Sequence, residues 1–105
     1  MEIYFKDGKL KKLCENRQKL IKKYGNEQAN KIIQRILELQ AFENLYDASK
    51  LPQLRLHPLE GNFDGCFGIN VIQPFRMIIA PENGSLSDYR TINKITIINA
   101  RINYH

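Results

Sequence analysis

Hydrophobic residues first recur with a helical period between Asp7 and Gly25. Leu10, Leu13, Cys14, Leu20, Ile21 and Tyr24 fall three, four or seven positions apart, which places them on one face of a helix. Asp7 suits its N-cap and Gly25 its end. A second helix, capped by Asn26, is predicted to about Ala41, with Ala29, Ile32, Ile33, Ile36, Leu37 and Leu39 as its buried stripe. Only a Gly-Asn turn separates the two, so they should pack as an antiparallel hairpin. "AFENLYDASKLPQ" has no sustained period and reads as an irregular connection with room for one helical turn.

After Pro52 the period shifts to two. "LRLHPLEG" gives Leu54 and Leu56 to one face of a strand and Arg55 and His57 to the other. "CFGINVI" and "FRMIIA" follow, and after the loop "PENGSLSDYRT" comes the long strand "INKITIINARI"; "MEIYF" at the start alternates weakly, as a short strand would. Short connections between the last four strands favour an antiparallel meander, whose second face needs no helices. The predicted fold is α+β: one domain over residues 1–105, with an N-terminal helical hairpin packed on one face of a twisted antiparallel sheet.

Composition narrows the chemistry. A chain of 105 residues makes one domain and buries a core without disulfides or metal. Cys14 and Cys66 fall at apolar positions and are expected as buried thiols; with two His they form no zinc-type spacing, so neither a metal nor a cofactor is expected. "MEIYFKDGKL" lacks a secretory pattern, and no run approaches the ~18 apolar residues of a membrane span. A cytoplasmic protein without a membrane partner is the expectation. The net charge of +5 is concentrated early: Lys6, Lys9, Lys11, Lys12, Arg17, Lys19, Lys22 and Lys23 face only Asp7 and Glu15. Such a stripe suits phosphate backbones or an acidic partner, and a solvated helix face accounts for it equally well.

The uncovered sheet face is where chemistry is expected. Arg55 and His57 lie on the non-leucine side of their strand, and Arg76 alternates with Phe75 and Met77. If the last strand lies beside these, Tyr104 and His105 close the same groove. Metal-free RNA cleavage needs a base for the 2′-hydroxyl, a cation for the charge at phosphorus and an acid for the leaving 5′-oxygen. Histidine serves at either end of that proton transfer, arginine forks onto phosphate oxygens, and tyrosine stacks on a base or donates to the phosphate. Taken singly, each of these residues has an ordinary structural use.

Together, "LRLHPLEG", "GCFGINVIQPFRMII", "ITIINARINYH" and the basic "KDGKLKKLCENRQKLIKKYG" resemble the HigB-like branch of the RelE/ParE toxin superfamily, over nearly the whole chain. The most specific segments are His-Pro-Leu-x-Gly, Pro-aromatic-Arg and the closing Tyr-His. The resemblance implies a type II toxin that cuts messenger RNA in the ribosomal A site. It also implies a helix-turn-helix, HigA-like antitoxin that represses operator DNA together with the toxin. It assigns His57, Arg76, Tyr104 and His105 to catalysis. Lys11, Lys12, Lys19, Lys22, Lys23 and Arg55 are the candidates for contact with RNA and the ribosome. Three positions depart from the common pattern: Asn103 where the family has Asp, Glu60 where many members have a basic residue, and Phe75 for a usual Tyr. Two other readings therefore stay open, a gyrase-directed toxin of the same superfamily and a catalytically degenerate toxin acting as co-repressor.

Overall fold

Where the apolar spacing predicts one helix from Asp7 to Tyr24, the computed structural model, which describes residues 1–103, has two: α1 (Gly8–Cys14) and α2 (Arg17–Tyr24). Asn16 makes the break. Its backbone is extended (φ −123°, ψ 102°) and its side chain accepts from the Lys19 amide at 3.1 Å, so it caps α2 as Asp7 caps α1 through the Leu10 amide at 2.8 Å. A short polar side chain offers the backbone a local partner that competes with helix continuation.

Gly25, not Asn26, sits at the next joint. At φ +86° it ends α2 and also precedes the first residue of α3 (Asn26–Ala41), without a side-chain cap. This left-handed backbone is open to glycine at little steric cost, and it lets α2 fold back on α3 as the predicted hairpin. The buried stripe of α3 is Ala29, Ile32, Arg35, Ile36 and Leu39; Leu37, predicted inside, is 60% exposed, and Ile33 is half-buried. The connection that follows contains α4 (Leu45–Ser49), capped by the Asn44 side chain, and a 3-10 turn at Pro52–Leu54. No helix among the described residues is long and apolar enough to cross a membrane.

Five strands form one sheet in the order β1-β5-β4-β3-β2: β1 (Glu2–Phe5), β2 (His57–Pro58), β3 (Phe67–Asn70), β4 (Phe75–Pro81) and β5 (Lys94–Asn103). The last four make the expected antiparallel meander. β1 adds to the outer edge of β5 in parallel, Ile3 beside Ile95 and Phe5 beside Ile97, so the sheet is mixed. Strand β2 is shorter than the alternation suggests. Leu54 ends the 3-10 turn and Arg55 is left-handed at φ +48°, so only His57 and Pro58 pair with β3.

One hydrophobic core joins the helices to one sheet face. Cys14, Leu20, Ile32, Leu39 and Leu45 meet Phe67, Ile69, Met77, Ile79, Ile95 and Ile97. Alternate strand residues point the other way. Ile78 and Leu59 are buried, at 0% and 5% exposure, outside that core. Cys66 departs from the expectation of a buried strand thiol, because it precedes β3 in a turn and is half-buried.

Cys14 is buried as expected, and burial, with a smaller push from Glu15, raises its thiol pKa to about 11. A raised folded-state pKa leaves stability intact below the unfolded value and removes it as pH climbs to the folded one. Urea unfolding under reducing conditions is therefore expected to show a loss of up to about 2–3 kcal/mol from this group as pH rises from about 9 to about 11. Cys14→Ala lacks that loss, so the stability gap between the two proteins should narrow over the interval; a constant gap would mean the thiol is not shielded.

Candidate active site on the sheet face opposite the helices

His57 is placed by three local features. Its Nδ1 lies 2.7 Å from the Arg55 carbonyl oxygen. A carbonyl only accepts, so Nδ1 carries the proton and a neutral ring keeps its free lone pair on Nε2. The left-handed turn at Arg55 aims that carbonyl back toward the ring. Gly68, directly across from His57 in the register, supplies space: a Cβ there would stand 3.0 Å from Cε1 and 3.1 Å from Nε2 of the imidazole, and 3.3 Å from Leu59 Cδ2. The ring and Leu59 thus lie over the backbone of β3.

Arg76 shares this face. It pairs with Asn70 on β3, two positions beyond Gly68, and the next residue of the same parity on β4 is Ile78, paired with Gly68. His57 and Arg76 therefore flank β3 on one side of the sheet, on strands about 10 Å apart. Ile78, fully buried, stands on the same face in the row of His57 and Gly68, next to Arg76 along β4. Arg76 Nη1 donates to Asn70 Oδ1 at 3.2 Å and to the Phe75 carbonyl at 3.3 Å. Among the described residues Nε and Nη2 have no hydrogen-bond partner, and such a pair on one edge of a guanidinium is the set of two parallel donors that a forked contact uses.

Asn70 is held in turn by Arg35, which sequence patterning does not single out. Arg35 is 3% exposed and spends its donors on three groups: Nε to the Asn70 carbonyl at 2.7 Å, Nη2 to the Gln53 carbonyl at 3.2 Å, and Nη1 to Glu38 at 2.6 Å. Its signal was position alone, since it is three residues from Ile32 and four from Leu39 on the buried stripe.

The other predicted site residues divide. The Arg55 side chain is exposed and lies off the strand; its contribution to the site is its carbonyl. Ile102 pairs with Arg76 and Asn103 with Phe75, so β5 runs beside the arginine as expected, whereas Tyr104 and His105 lie outside the described residues. Glu60 is exposed just beyond β2. Lys11, Lys12, Lys19, Lys22 and Lys23 are all exposed, and Lys12, Lys19 and Lys23 line a groove of about 530 Å³ between the first two helices and β5. Among the described residues no three His, Cys, Asp or Glu side chains group as a metal site would require.

These features define a small α+β protein whose helices cover one side of a mixed sheet and whose His and Arg share the other. Compared with protein-family models, curated proteins and solved structures, the chain matches none.

Removing Arg35 takes the guanidinium donor from the Asn70 and Gln53 carbonyls and from Glu38 Oε1, while Glu38 Oε2 keeps the Gln34 side-chain amide. Arg35→Met is expected to cost about 3 kcal/mol in urea unfolding. The exposed pair Arg90–Asp88, 3.9 Å apart, is the control, and Arg90→Met should cost less than about 0.5 kcal/mol. Equal costs would show that Arg35 is not a structural tie. Gly68→Ala should keep the fold, because the atoms it meets are side-chain ends, but displace the imidazole; an unchanged His57 ring signal in ¹⁵N spectra would contradict this placement.

Proposed function

We propose that the chain is a type II toxin of the kind its sequence resembles, a ribosome-dependent messenger RNA endonuclease. The observation that carries this reading is the pairing on one sheet face of a histidine whose Nε2, and an arginine whose Nε and Nη2, have no hydrogen-bond partner among the described residues. Each is oriented by one neighbour, His57 by the Arg55 carbonyl and Arg76 by the Asn70 side chain.

In the proposed reaction the His57 Nε2 lone pair takes the 2′-hydroxyl proton. The 2′-oxygen forms a bond to phosphorus while the bond from phosphorus to the 5′-oxygen breaks, leaving a cyclic phosphate. Arg76 holds the non-bridging oxygens as charge grows on them, where a preorganised charged donor has most effect. His105 gives a proton to the departing 5′-oxygen, and Tyr104 stacks on a base or donates to the phosphate. No metal or cofactor enters the scheme. The exposed lysines, with Arg55, serve docking on ribosomal RNA, and a helix-turn-helix antitoxin neutralises the toxin and represses operator DNA with it. The mixed α+β fold with one helix-free sheet face supports the reading.

The test is translation of a defined message by purified ribosomes, with transcript ends mapped. The intact chain should cut in the A site. His57→Ala should lower cleavage at least about tenfold, and removal of His105 should do the same. Arg76→Lys should also be poor, because a point charge cannot reproduce a forked contact. No cuts by the intact chain in excess over ribosomes would refute the nuclease reading; blocked supercoiling by gyrase with intact transcripts would favour the gyrase-directed one.

A further inference from the structure

The basic groove lies between the first two helices and β5, neither His57 nor Arg76 lines it, and its lining is unusual. Lys6, Lys9, Lys12, Lys19, Lys23 and Arg101 converge on it. Its one acidic residue, Asp7, is already committed to the Leu10 amide as the cap of α1. None of the six cations has an ion pair among the described residues. Like charges gathered this closely repel one another unless an anion joins them.

Arg101 is the fixed member. Its guanidinium carbon stands 3.4 Å from the Phe75 ring centroid and 5.0 Å from that of Tyr24, and its buried Nε has no hydrogen-bond partner among the described residues. Among the lysines the lining is apolar, with Leu10, Leu13 and Ile98 each partly exposed.

We propose that this groove docks an acidic segment of a partner protein, with apolar side chains against Leu10, Leu13 and Ile98 and carboxylates among the lysines. Two observations favour a peptide over a nucleic acid strand. Single-stranded RNA is held by bare aromatic faces on which bases stack. Here Arg101 covers the Phe75 ring, and Tyr24 has Arg101 and, at 5.5 Å, Lys23 over it. An apolar patch bordered by charged groups is also the anatomy of a protein interface. Docking needs nothing from the chemistry at His57. Its consequence for the proposed toxin is that a peptide occupying Lys12, Lys19 and Lys23 competes with RNA docking.

The probe is an acetylated, amidated ten-residue peptide of alternating Glu and Leu, titrated into the ¹⁵N-labelled chain. Amide shifts are expected at Ile98–Arg101 and along α1 and α2. Deca-glutamate should bind at least about tenfold more weakly, because it offers the apolar lining nothing. The exposed triple variant Lys12→Glu, Lys19→Glu, Lys23→Glu should fold normally and lose at least about tenfold in affinity. A peptide Kd weaker than about 1 mM would overturn the proposal, as would affinity unchanged in the triple variant. Displacement of the peptide by ten-nucleotide oligo-uridine at lower concentration would assign the groove to nucleic acid instead. None of these readings uses cleavage, so they stand apart from the fate of the nuclease reading.

Discussion

Arg35 is the tie on which the arrangement of the sheet face depends. A guanidinium 3% exposed is costly to bury unless its donors are met, and here they reach three separate parts of the chain. The Asn70 carbonyl ends β3, and the Asn70 side chain steadies Arg76. The Gln53 carbonyl belongs to the 3-10 turn whose exit is Arg55, and Arg55 holds the His57 ring. A helix residue on one side of the sheet thus governs, through two carbonyls, the approach of both polar groups on the other. An apolar side chain of similar size would fill the volume but leave the two loops without a common anchor.

Such a tie is invisible to hydrophobic patterning, which explains what was legible in the sequence. The helical hairpin, the four antiparallel strands and the shared side of His57 and Arg76 all follow from period and turn chemistry. The failures sit where a local polar group competes with the period. Asn16 splits the first helix by capping the second half. Pro52 starts a 3-10 turn, so Leu54 and Arg55 leave a strand that their alternation implies. Leu37 follows the helical spacing yet lies outside, because the buried stripe of α3 is centred on Ile32, Arg35, Ile36 and Leu39. A periodicity count treats an arginine as polar and so rotates the stripe away from it.

The parallel pairing of β1 was also beyond the pattern, since alternation marks a strand but not its neighbour. Its shortness has a structural effect. β1 pairs with β5 only as far as Ile97, and the next rung is the Lys6 amide on the Ile97 carbonyl at 3.0 Å. Past that point the chain leaves the sheet for α1, and the outer edge of β5 is bordered by the basic groove rather than by a strand.

Two bulges in β5 then separate the chemistry of the two sides. Ile78 pairs with Asn99 and Ile79 with Ile97, which leaves Ile98 as an extra residue; Arg76 pairs with Ile102, which leaves Ala100 and Arg101 together opposite Met77. Bulges re-aim side chains and interrupt further pairing. Without the second one, strict alternation from Asn99 would turn Arg101 onto the face of Asn99, beside Arg76. With it, Ala100 enters the core, Arg101 lies against Phe75 and Tyr24, and Ile102 takes the place next to Arg76. An apolar neighbour on β5 keeps a second cation out of the place paired with Arg76, while Arg101 adds its charge to the lysines that line the groove. One irregular strand therefore lets the same short stretch of sequence serve two surfaces without their cations repelling each other.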